Sequence, residues 1–210
     1  MNLFHKRQFE DPLVPGLFGE LSESETIKLF PEFADTIKSN MKDTVKQFFM
    51  KKANSCESRI QIIAWNRLRQ MSIMPDESLT KKILGFVIEV GMEKGTDYLA
   101  VYADNSARYF NFSGSKIFYE NGDNTINNEI QTLLSCCKVT IDQIGVWERT
   151  RCNPPKNGMA RVNFLTPRGL FFGEGSMNLL EQDLLAKDII AQSVVVMRLL
   201  ITSCPPSADR

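Results

Sequence analysis

The chain has 210 residues, 43% of them hydrophobic, with 25 Lys plus Arg against 25 Asp plus Glu and a formal net charge of zero. That apolar content suffices for one good core and excludes a chain disordered throughout, while the balanced charge leaves no global field to draw in a nucleic-acid backbone or an anionic membrane. A single histidine, His5, excludes histidine triads and multi-histidine metal sites, and five cysteines with no C-x-x-C spacing speak against a disulfide framework or a zinc site.

The start, MNLFHKRQFEDPLVPG, lacks the apolar run of a secretory leader, and no later stretch is long and apolar enough to span a bilayer, so a soluble cytoplasmic protein is expected. Pro12, Pro15, Gly16 and Gly19 predict an irregular arm that docks on the rest of the chain. Ser22 and Glu25 have the spacing of a capping box. Beyond them Ile27, Phe30, Ala34, Ile37, Met41, Val45 and Phe48 recur at helical intervals to about Lys52, with a break near Pro31. A second helix from about Ser55, with Ile60, Ile63, Leu68 and Met71 on one side, is expected to stop at Pro75.

Composition changes at KKILGFVIEVG, which is apolar on both faces and reads as a strand near the middle of a sheet. YLAVYA, RYFNFS and KIFYE follow across short polar links and predict an antiparallel meander. Asn124 or Thr125 is expected to cap a helix through INNEIQTLLSCCKVTIDQI, in which Cys136 and Cys137 point apart and serve packing. ERTRCNPPKNG is a loop. MARVNFL and LFFGEG form a hairpin around TPRG, with Pro167 and Gly169 in the second and fourth turn positions. A last helix from about Met177 to Ser203 is apolar nearly all round, as expected of a helix central to the core or covered by a partner. The tail CPPSADR is expected to fray.

The densest local chemistry is RYFNFSGSKIFYE. A two-residue turn at Gly114-Ser115 would pair Phe110 with Tyr119 and Phe112 with Ile117, giving a core face of Phe110, Phe112, Ile117 and Tyr119. It would leave Tyr109 and Phe118 on the outer face, there to be covered by the N-terminal helices or by a partner chain. An RNA-recognition strand also interleaves basic and aromatic residues. The glycine it needs after the basic residue is missing, as is the net positive charge, so no nucleic-acid partner is expected.

Candidate ligand-binding residues cluster around the loop Arg149–Lys156. Arg149, Arg151 and Arg161 are cations suited to an anion, and the neighbouring cations would favour a thiolate at Cys152. Glu89, Glu93, Asp97 and Glu174 come from strand ends and could converge, and Glu174 lies between Gly173 and Gly175, where backbone can approach a ligand. GEG lacks the spacing of a phosphate loop. No catalytic residue, metal ligand or cofactor is assigned.

The block LTPRGLFFGEGSMNLLEQDLLAKDIIAQSVVVMRLLI, with EVGMEKGTDYLAVYADNSARYFNFSG before it, resembles a group of uncharacterised bacterial proteins sharing a T-P-x-G-L-x-F-G-E-G segment and a preceding A-R-Y strand. That resemblance implies a bacterial source and no particular activity. In element order the chain is similar to the type III secretion chaperone-like fold, and more loosely to roadblock and profilin-like domains.

The expectation is therefore an α+β fold: an antiparallel sheet of roughly five to six strands flanked by helices. An arm and helical extension would span 1–78, the α+β core 79–203 and the tail 204–210. The expected role is protein binding or assembly, self-association included, through Tyr109 and Phe118. The alternative is a small-molecule or anion-binding domain, with or without catalysis, using Arg149, Arg151, Cys152, Arg161 and Glu174. A concave polar pocket at the loop would favour the second, a flat apolar patch the first.

Overall fold

The structure, a computed structural model, describes residues 11–38, 41–120 and 122–204. The start of the arm and the tail beyond Cys204 lie outside them.

Strands β1 (Gly85–Met92), β2 (Gly95–Tyr102), β3 (Ser106–Phe110) and β4 (Lys116–Glu120) form the expected meander, and β6 (Met159–Thr166) and β7 (Gly169–Ser176) the second hairpin. β6 inserts beside β1, and β5 (Val146–Trp147) closes the far edge, so a seven-stranded antiparallel sheet runs β4-β3-β2-β1-β6-β7-β5. The strand beyond the expected count is β5, too short at two residues to show any alternation of its own.

Because the central strands are apolar on both sides, the sheet requires cover on each face. On one face Phe86, Ile88, Val162 and Phe164 pack under α6 (Asn124–Ile141) and α8 (Lys187–Ser203). On the other, Val87, Tyr98, Tyr102 and Phe110 pack under α1 (Val14–Leu17), α2 (Glu23–Leu29), α3 (Phe33–Lys38), α4 (Lys42–Lys52) and α5 (Ser58–Gln70). Three layers result: helices, sheet, helices.

The arm docks, but Val14–Leu17, expected to be irregular, forms the short helix α1 with Pro15 in its first turn. Val14, Leu17 and Phe18 are buried, each contributing about 1.5–3 kcal/mol, and Asn66 donates to the Phe18 and Gly19 carbonyls at 2.9 and 2.8 Å. Ser22 and Glu25 form the capping box. The long helix expected to run to Lys52 is instead three short ones. Phe30 ends α2 ahead of Pro31, and the junction between α3 and α4 falls partly on residues outside those described. α5 ends at Met71, with Ser72 at φ +61°, before Pro75 can act. Asp123, not Asn124 or Thr125, caps α6.

The last helix is also broken. Asp183 accepts hydrogen bonds from the backbone N–H groups of Leu185 and Ala186 at 2.8 and 3.1 Å, offering the chain a local alternative to helix. The break separates α7 (Met177–Leu180) from α8 and leaves Leu184 82% exposed.

The aromatic hairpin takes a different register from the one expected. Asn111 Oδ1 accepts from Ser113 N–H at 2.7 Å, and Asp97 of β2 accepts from Phe112 N–H at 2.8 Å. These side chains start the turn at Asn111, and its backbone N–H closes onto the Ser115 carbonyl. Tyr109 therefore pairs with Ile117 rather than Glu120, an odd offset that exchanges the faces. Tyr109, 6% exposed, joins Ile117 and Tyr119 beneath α6 and α8, its hydroxyl donating to Asp97 at 2.8 Å. Phe118, 49% exposed, lies on the opposite face beside Phe110. The expected outer pair does not exist.

Among the described residues no helix is long and apolar enough to cross a membrane.

Candidate functional site

β5 leads into the loop 148–158, which crosses β7 and β6 on the face shared with the N-terminal layer. Pro154 and Pro155 fix φ and keep the chain extended. Lys156 then sits so close to β1 that a Cβ on Gly91 would lie 2.0 Å from the Lys156 carbonyl oxygen. Gly158 N–H donates to the Gly91 carbonyl at 3.0 Å, anchoring the far end.

Under this strap lies a buried ionic cluster. Glu89, on the inward side of β1, is 0% exposed. Its Oε1 receives Arg161 Nη1 at 3.2 Å and Asn163 Nδ2 at 3.0 Å, while Arg151 Nη1 lies 3.6 Å from its Oε2. Arg161 continues to Glu174, Nε to Oε2 at 2.7 Å, and donates from Nη2 to the Asn153 carbonyl at 2.9 Å. Arg151 pairs with Glu20 of the arm at 3.3 Å and stacks over Phe18, its guanidinium carbon 3.9 Å from the ring centroid. Burial pushes the Glu89 carboxyl above the ordinary carboxylate range, with Arg151, Arg161 and Asn163 pulling it back.

Three of the five expected ligand residues, Arg151, Arg161 and Glu174, thus converge on one another around Glu89. They tie strap, sheet and arm together. Of the expected carboxylates, Glu89 and Glu174 meet through Arg161, whereas Asp97 serves the β3–β4 turn. Cys152 is half-buried in the strap and does not line the groove. Among the described residues no group of His, Cys, Asp or Glu is placed to hold a metal ion.

Beside the strap a groove of about 450 Å³ opens between α5 and the edge formed by β5 and the β6–β7 turn. Arg149, the remaining candidate loop cation, lines it with its guanidinium carbon 5.6 Å from the Trp147 ring centroid. Arg69 and Arg168 line it from α5 and from the turn. Arg69 donates from Nη1 to the Pro167 carbonyl at 2.7 Å and from Nη2 to Asn66 Oδ1, which fixes the guanidinium in the wall. Its Nε has no acceptor, and it has no carboxylate partner, among the described residues. Burial, and then the charge of Arg168, push its pKa down to about 10. Arg168 reaches Glu148 only at 3.7 Å, and Glu148 is largely exposed. The turn that presents Arg168 needs a glycine: Gly169 has φ +142°.

Arg69, Arg168 and Trp147 were missed by sequence reasoning. Arg69 reads as an ordinary charge on an amphipathic helix, and only packing brings α5 to the turn. Comparison of the chain with protein families, with curated proteins and with solved structures finds no match.

Proposed function

We propose that this protein is a non-catalytic binding module of the bacterial cytoplasm whose ligand is a small anion, a phosphate or carboxylate, held in the arginine groove. The observation that supports this reading is Arg69, a guanidinium fixed in the wall beside a second cation, with donor capacity left over and no carboxylate partner among the described residues. Two like charges held together in a partly desolvated groove favour an anion that both can reach, and a guanidinium fork matches the paired oxygens of phosphate or carboxylate. Trp147 supplies an apolar wall for the rest of such a ligand.

The test titrates inorganic phosphate, pyrophosphate and citrate into the full chain while following tryptophan fluorescence. Trp147 lines the groove, whereas Trp65 is buried in α5. At least one probe is expected to saturate, to weaken as salt is added, and to lose about tenfold or more in affinity in Arg168→Gln, the loss of one charged hydrogen bond. No saturable response from any probe, or binding unchanged in Arg168→Gln, overturns the assignment.

The protein-binding role expected of the hairpin rests now on Phe118, on the strand β4 that has β3 as its one neighbour among the described residues.

A further inference from the structure

Among the described residues β4 is the outermost strand at the end of the sheet opposite the anion groove, and its sole strand partner is β3. The turn-closing bond from Asn111 N–H to the Ser115 carbonyl, at 2.9 Å, sets the parity of the ladder. Bonded and non-bonded pairs alternate in an antiparallel ladder, so Ile117 and Tyr119 direct their backbone groups toward β3. Lys116, Phe118 and Glu120 direct theirs outward. Among the described residues no backbone or side-chain group meets these outward N–H and C=O groups.

The strand reads Lys116-Ile117-Phe118-Tyr119-Glu120, which is self-complementary about Phe118. Laid antiparallel against a second copy with Phe118 opposite Phe118, it places Lys116 opposite Glu120 at both ends, and every outward donor and acceptor gains a partner. A shift of one residue sets outward groups against inward ones. A shift of two leaves Lys116 or Glu120 opposite Phe118, and a parallel arrangement sets like charge against like. One register is favoured over its neighbours.

The surrounding charges extend the match. Asp11 holds Lys116 at 2.8 Å, and Arg108, buried beneath Phe118 with its guanidinium carbon 5.3 Å from the ring centroid, holds Glu120. Across the join each side of the two-fold axis would read acid, base, acid, base. Charges usually blunt an exposed edge against other strands. Here their order is complementary to that of a second copy.

We infer that the β4 edge is a homodimerisation surface, pairing two copies antiparallel about Phe118 into one continuous fourteen-stranded sheet with two-fold symmetry. A five-residue ribbon buries less than a permanent interface does, so the dimer is reversible and concentration-dependent. It does not depend on the anion groove.

Sedimentation velocity from about 1 to about 200 µM reads the result. The unmodified chain is expected to move from monomer toward dimer across that range. Lys116→Glu and Glu120→Lys should each remain monomeric alone, because each sets like charges in register, and an equimolar mixture should recover the dimer, because the mixed pair restores both ion pairs. Phe118→Pro should also be monomeric while staying folded by circular dichroism, since the N–H it removes faces outward, where proline is tolerated. A monomer at every concentration, a dimer indifferent to the charge reversals, or a mixture that fails to associate each overturns the inference.

Discussion

Glu89 shows how one residue in an apolar strand organises its surroundings. A carboxylate with no exposure is costly unless its charge and hydrogen bonds are met; Arg161 and Asn163 donate to Oε1, while Oε2 has only the charge of Arg151 at 3.6 Å and no hydrogen-bond donor among the described residues. Burial nonetheless raises its pKa. As pH rises, the unfolded chain then releases this proton before the folded one does. The stability owed to Glu89 is therefore full below the ordinary carboxylate range and is lost as pH climbs through the raised folded value. Urea unfolding of the protein and of Glu89→Gln, measured from about pH 4 to neutrality, should show the unmodified protein's advantage over the variant shrinking as pH rises. An advantage that grows instead would mean that Arg151 and Arg161 outweigh burial.

At the scale of elements, the strap 148–158 joins the two halves of the candidate site: its buried side anchors the sheet and its open side, with Arg149, walls the groove. Its position depends on Gly91, where β1 and Lys156 are in backbone contact. Gly91→Ala must displace the strap or distort β1, and is expected to cost about 1–3 kcal/mol. Limited proteolysis should also cut within 148–158 faster than in the unmodified chain. Unchanged stability and an equally resistant strap would show that the contact does not hold the loop. The cluster of Arg151, Arg161 and Glu174 was half legible in advance. Their charges were conspicuous in the sequence, and Glu89 was among the carboxylates expected to converge, but no spacing showed that it would be buried on β1 between Arg151 and Arg161 and turn them inward.

For the whole molecule, the decisive feature is that the sheet has two apolar faces and the N-terminal segment supplies one of the two covers. Tyr102 donates to the Leu17 carbonyl at 3.0 Å from within that interface, and Phe110 and Leu165 share a core cluster with Phe18 and Leu68. A chain of residues 79–204 alone should therefore lack a cooperative thermal transition and bind a hydrophobic dye, having lost the layer over Val87, Tyr98 and Tyr102. A sharp transition and a monodisperse monomer from that fragment would show the helical extension to be separable.

The sequence by itself determined the α+β class, the four-strand meander, the second hairpin and the capping box at Ser22, because each follows from local periodicity or turn chemistry that few residues specify. Tertiary structure decided the rest. The register of the aromatic hairpin was set by Asp97 on the neighbouring strand together with Asn111, and an odd offset moved Tyr109 from the outer face to the core. The groove was decided the same way. Arg69 and Arg168 are 99 positions apart in the numbering and carry no local pattern linking them; they become neighbours only when α5 packs across the sheet against the β6–β7 turn, because burial of apolar faces brings distant charges together without regard to their order in the chain.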